Sequence, residues 1–218
     1  MKDFLVRLIR LLWGLFLFAL GIAITLNAQI GYAPWDVLNA GLANTLGISI
    51  GTASISVGLV IIILTVLLKE KVGLGSLGNM LLIGMLLDII LASQVLPVAG
   101  NLLQGISMLV AGLIIIALAS YYYIGSGFGA GPRDSLMVAV TRRTGLPVGV
   151  CRGAIELAAL LAGWWLGGMV GVGTVISAFL TGPIVELIFR LFKFDVTQVQ
   201  HETLGETFRG LRRSTARG

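Results

Sequence analysis

Apolar residues come in long runs, parted by short links that are polar or rich in glycine. A helix needs about 20 mostly apolar residues to cross a bilayer core of about 30 Å. Six runs are of that order: Phe4 to Leu26, Ile50 to Leu68, Val72 to Leu96, Leu102 to Ile124, Val148 to Leu166 and Gly171 to Phe192. Two shorter stretches, Pro34 to Leu46 and Pro132 to Arg143, are too short to cross and predict re-entrant or interfacial helices. Each follows a link that should unwind, Asn27 to Gly31 and Gly125 to Gly131. Pro34 and Pro132 suit the first helical position, and Asp36 and Asp134 complement the helix dipole in the first turn.

The two stretches are echoes of one another. Sliding the chain by 98 positions pairs Gly14 with Gly112, Gly31 with Gly129, Pro34 with Pro132 and Asp36 with Asp134. It also pairs Gly47 with Gly145, Gly51 with Gly149, Gly73 with Gly171 and Gly84 with Gly182, and sets Asp88 against Glu186. Apolar composition alone does not align glycines, prolines and acids, so this is an internal repeat. Three spans in each copy force the second to enter the membrane upside down. The expected fold is an all-α polytopic membrane protein with six transmembrane helices and two short broken helices, in two inverted-topology repeats. Residues 1–96 form the first repeat, 97–193 the second, and 194–218 a cytoplasmic tail.

Composition agrees: 57% of the 218 residues are hydrophobic, 11% are charged, and the mean hydropathy is +1.00. The first apolar run is too long for the core of a cleavable signal peptide, so it reads as a true span. The net charge of +5 does not point to nucleic acid, because the basic residues flank the spans as topology signals. An inside N-terminus puts Lys69, Lys71, Arg133, Arg142, Arg143 and the tail in the cytoplasm. The outside then holds Trp35-Asp36, Pro97 to Asn101 and Gly167 to Met169, without Lys or Arg, and Trp35, Trp164 and Trp165 fall near the outer interface. Tyr121, Tyr122 and Tyr123 fall at the inner one. A lone Cys151 excludes an intrachain disulfide, and a lone His201 excludes a His-rich metal site.

Charged residues at membrane depth face a bundle interior or a wet cavity. Asp36 and Asp134 either satisfy free backbone N–H groups of their helices or take part in gating. Asp88 and Glu186 lie mid-helix, Glu186 one turn past a Gly182-Pro183 break, and read as proton- or ion-coupling acids. The second half adds charges that the first lacks: Arg133 for Trp35, Arg152 for Ser54 and Glu156 for Gly58. Arg152 and Glu156, four apart, suit an intrahelical ion pair. Two arginines near a half-helix N-terminus also suit an anion subsite, since the guanidinium fork matches carboxylate, sulfonate or phosphate. Substrate contacts are therefore expected at Arg133, Arg152, Asp36 and Asp134, coupling at Asp88, Glu156 and Glu186, and hinges at Gly31, Pro34, Gly129, Gly131 and Pro132.

These motifs carry a resemblance. Gly31-Tyr32-Ala33-Pro34-Trp35-Asp36-Val37-Leu38, Gly129 to Asp134, Arg142-Arg143-Thr144-Gly145 and Arg152 with Ile155-Glu156 resemble the YczE/YyaS/YitT family of bacterial integral membrane proteins. The resemblance runs to about Arg190 and implies the bacterial cytoplasmic membrane, without implying a substrate.

Broken helices at matching places in two halves point to a transporter site. The expected function is secondary transport of a small anionic or zwitterionic solute by alternating access, with a proton as candidate coupling ion. The alternative is a non-transporting membrane subunit, or the substrate-capture module of a larger complex. No enzyme is expected: paired histidines are missing, and Cys151 has no neighbouring His. Gly129-Ala130-Gly131 has neither the Lys-Ser/Thr nor the strand of a nucleotide loop. Neither a metal nor an organic cofactor is expected. The expected partners are the lipid bilayer, the solute, and a second copy or partner subunit.

Overall fold

A computed structural model of the chain describes residues 2–70, 73–129, 131–195, 199 and 202. The predicted cytoplasmic tail, with His201 and Arg209, Arg212, Arg213 and Arg217, otherwise lies outside the described residues, as does Lys71. Among the described residues there are eight helices and no strand. They are α1 (Lys2–Asn27), α2 (Pro34–Leu46), α3 (Ile50–Leu67), α4 (Leu74–Ser93), α5 (Leu102–Ile124), α6 (Pro132–Thr144), α7 (Val148–Trp165) and α8 (Val172–Leu191). All but α2 and α6 are long and apolar enough to cross a membrane, which gives six candidate spans.

Predicted and observed bounds agree to a few residues because proline and glycine punctuate the chain. Extended Ala33 leads into Pro34 at the start of α2, and Gly47, at φ 65°, closes it by donating to the Ala43 carbonyl. Gly131, Pro132 and Gly145, at φ 69°, do the same for α6. From α2 to α4, every helix recurs 98 positions later with unchanged bounds.

At the centre α1 crosses α5. A Cβ on Gly21 would press on the Gly112 carbonyl, and one on Gly112 on the Gly21 carbonyl, so the two backbones approach closely on glycine. Leu11, Leu15, Ala19, Ile22 and Leu26 of α1 form the main core with Ile83 and Leu87 of α4, Tyr123 and Phe128. A smaller core joins Ala28, Leu109 and Leu113 to Ile176 and Ile184 of α8. Around the centre α4 packs on α1, α8 on α5, α2 on α7, and α6 on α3. The outer helices turn Leu59, Ile89, Leu157 and Leu187 outward, an apolar surface suited to lipid.

Two backbone hydrogen bonds tie the halves crosswise. Gly75 N–H donates to the Phe128 carbonyl at 2.7 Å, and Gly173 N–H to the Ile30 carbonyl at 2.7 Å. The first lies at the end of the molecule where α1 and α4 begin, the basic face. Here Arg7 Nε donates to the Ser126 carbonyl, Arg10 lies over the Tyr121 ring, and Arg142 pairs with Glu70 at 2.9 Å. Arg7 also covers the Phe128 ring and pairs with Glu202 at 2.6 Å. Arg7 and Arg10 tie the end of α5 and the link after it to α1, which a reading as topology signals alone does not anticipate.

One expectation is corrected. Gly182-Pro183 does not break the last helix: α8 runs through Pro183 to Leu191. Proline takes away one N–H, and a long apolar helix held in a bilayer tolerates that loss.

Candidate functional site

The site grows from the two unwound links. Gly31 has φ +110° and Gly129 φ +115°, values that side chains rarely adopt. Each is also pressed against the start of a distant helix: a Cβ on Gly31 would fall 2.8 Å from the Gly171 Cα, and one on Gly129 would fall 2.9 Å from the Gly73 Cα. The links turn tightly there, and Pro34 and Pro132 restart the helices. The predicted hinge residues thus sit at the two turns that aim α2 and α6.

The turns bring Trp35 and Arg133 together. The Arg133 guanidinium lies 4.8 Å from the centre of the Trp35 ring, a cation–π contact. Asp36, Asp134 and Glu156 all lie close enough to act electrostatically on Arg133. Asp36 is buried, at 5% exposure, whereas Arg133 and Asp134 are half-buried. Beside them is Gly131, where a Cβ would lie 2.9 Å from Tyr123 Oη, 3.4 Å from Asp134 Oδ2 and 3.6 Å from Asn79 Nδ2. Arg133, Asp36 and Asp134 all sit at the start of the short helices, and the Arg133 guanidinium feels the charge of Asp36, Asp134 and Glu156.

Arg152 does not reach that centre as an independent anion contact. Its Nε donates to Glu156 Oε1 at 3.0 Å on the exposed side of α7, and Glu156 also acts electrostatically on Arg133. Arg152 lines a cavity of about 540 Å³ with Gly182, Glu186, Phe189, Arg190 and Lys193, open at the basic face. Glu186 pairs with Arg190 at 2.5 Å. Asp88 is at the opposite face, where Oδ2 accepts from Ser49 Oγ at 2.5 Å and Oδ1 from Gly51 N–H at 2.8 Å. A carboxylate in the middle of α4 thus caps the N-terminus of α3. Trp164 and Trp165 are exposed, as an interfacial belt requires, but Trp35 is half-buried beneath Arg133.

Sequence reasoning missed four polar residues. Tyr123, read as an interfacial aromatic, is 3% exposed with its hydroxyl at Gly131. Asn79 approaches the same point from α4. Its counterpart 98 positions on is Ser177 of α8, whose Oγ is buried with no hydrogen-bond partner among the described residues. Asn39, one turn after Asp36 on α2, is 1% exposed and its Oδ1 also lacks a partner among the described residues. Buried polar atoms are normally paired, so Asn39 Oδ1, one turn from Asp36, is a candidate contact for a water or a solute. The signal was present, since the repeat aligns Asn79 with Ser177.

A family model described as "Family of unknown function (DUF6198)" matches residues 5–190. The chain is 36% identical to "Uncharacterized membrane protein YczE" of Bacillus subtilis (strain 168) over 174 residues, 79% of this chain and 80% of that one. It is 31% identical to an "Uncharacterized protein" of Haemophilus influenzae over 83% of this chain and 82% of that one. It is 24% identical to "Uncharacterized protein YyaS" of Bacillus subtilis over 81% of this chain and 92% of that one. No solved structure matches. The links, the short helices and the charged centre all fall inside the matched region, and this integral membrane protein of several spans belongs to the YczE-like family of membrane proteins.

Proposed function

We propose that the chain is a secondary transporter of a small solute, zwitterionic or anionic, working by alternating access between two inverted repeats. The observation that carries this reading is the contact of Arg133 with Trp35. The two residues hold equivalent places, 98 positions apart, and equivalent residues touch only near the axis that relates the halves. In an inverted repeat that axis lies in the membrane plane, where transporters of this architecture hold their substrates. The matching helix bounds and the crossed bonds of Gly75 and Gly173 support the same symmetry. In this reading α2 and α6 are re-entrant, residues 1–96 and 97–193 are the repeats, and the basic face with both termini is cytoplasmic.

The charge balance narrows the solute. Arg133 suits a carboxylate or another planar anion, and the three carboxylates around it suit an ammonium group on the same molecule. A zwitterion satisfies both, whereas a simple anion meets the carboxylates unfavourably. Glu156, which acts on Arg133 and pairs with Arg152, is the coupling acid of this proposal. The activity is transport rather than catalysis.

A thermal-stability screen of the purified protein against zwitterions and small anions tests the reading, because a bound solute stabilises by mass action. Stabilisation by a zwitterion that disappears in Arg133→Ala supports it, and a retained shift removes Arg133 from the site. One observation favours a second reading, a capture module working with a partner subunit: α7 and α8 leave a cavity between them that a partner could cover. That reading expects co-purification with the partner and no uptake by the chain alone.

A further inference from the structure

The two halves differ at one seam. In the first half α3 packs along α4, whereas the corresponding α7 and α8 barely touch. A Cβ on Gly51 would strike the Gly84 carbonyl and the Asp88 carboxylate, and one on Gly84 would meet Ile55 and the Gly51 carbonyl. The equivalent Gly149 and Gly182 have open space around them. Asp88 latches the closed seam by accepting from Ser49 Oγ and Gly51 N–H. Its equivalent Glu186 is turned to Arg190 instead, and the open seam is the cavity at the basic face.

We propose that Glu186 is the latch of the second seam. In the alternate state it leaves Arg190 and accepts from Gly149 N–H, Gly149 seats against Gly182, and the basic-face cavity closes while Asp88 releases the first seam. The proposal rests on the transport reading, since a protein that exposes one site to two sides in turn needs both seams to close. The sequence accounts for the state that is seen. Asp88 draws on a serine hydroxyl as well as a backbone N–H, and Ala92 at its i+4 position offers no rival charge. The equivalents of Ser49 and Ala92 are Pro147, which has no donor, and Arg190, which competes for Glu186. The latch at the opposite face is thus the stronger, and the seam at the basic face stands open.

Spin-label distances in reconstituted membranes test this, in a Cys151→Ala background. Leu59 and Ile89 lie on the outer surface of α3 and α4, and Leu157 and Leu187, their equivalents, on that of α7 and α8. A Leu59→Cys/Ile89→Cys pair gives the closed-seam distance. A Leu157→Cys/Leu187→Cys pair should show a longer main distance and a minor one that coincides with it. Glu186→Ala should shrink the minor population about tenfold, the worth of one charge-assisted hydrogen bond. Arg190→Ala should raise it about twofold, the worth of one exposed i,i+4 pair. Gly182→Val, placed in open space, should leave only the long distance. A single long distance in every variant, Arg190→Ala included, or a minor one indifferent to Glu186→Ala, overturns the latch. No solute enters this experiment. A latch that fails beside an intact solute-dependent stability shift leaves transport standing, and a latch that holds where the stability screen finds no solute removes the transport reading alone.

Discussion

Arg133 stacks over Trp35 at 4.8 Å, and each occupies in its half the place that the other occupies in its own. Identical residues there would meet as two arginines, which repel, or as two tryptophans, which bring no charge. The divergence of this pair gives the meeting point of the halves a cation with an aromatic face to hold it. Trp35→Leu keeps the apolar bulk and removes the ring. It should cost about 1 kcal/mol of stability and weaken binding of a zwitterion more than Trp35→Phe does, read by thermal unfolding with and without solute.

The glycines of the two seams should answer differently to one substitution. Gly51→Ala drives a methyl into the Gly84 carbonyl and the Asp88 carboxylate and should cost about 2 kcal/mol or more. Gly182→Ala meets open space on a helix and should be neutral or gain up to about 1 kcal/mol. Thermal unfolding of the two variants in the same detergent makes the comparison, and equal losses would contradict the difference between the seams.

Asp88→Asn takes the charge from two hydrogen bonds to the start of α3 and should cost about 1–3 kcal/mol. Adding Ser49→Ala to it should cost little more, because both changes act on one network. A double-mutant cycle on unfolding free energies reads this, and additive losses would count against the shared cap.

The Arg152–Glu156 pair is largely exposed, at 56% and 32%, and should contribute no more than about 0.5 kcal/mol to folding. Glu156→Gln should nevertheless change the affinity for a solute held by Arg133, because Glu156 acts on that guanidinium. Unchanged affinity with unchanged stability would leave Glu156 a surface partner of Arg152.

The helices were legible because their ends are written in residues with strong local preferences. Pro34 and Pro132 start the short helices, and Gly47 and Gly145 end them. Half of the charged centre was legible for the same reason, since Asp36 and Asp134 follow those prolines by two positions. The partner of Asp88 was not, because a carboxylate on one helix that caps another leaves no mark in local spacing. Nor was the burial of Tyr123: an aromatic run at the end of a span looks interfacial, and only the packing of α1 against α5 decides which ring turns inward. Pro183 misled in the other direction, because helix-breaking power weakens where no water competes for the freed carbonyl.

The crossed bonds of Gly75 to Phe128 and of Gly173 to Ile30 carry a consequence for biosynthesis. The link before α2 is held by the start of α8, which is made well after it, so an early part of the chain waits for a late partner. A half expressed alone would present an unfilled link and invite degradation. Two halves expressed as separate fragments would complete each other, as subunits of a dimer do.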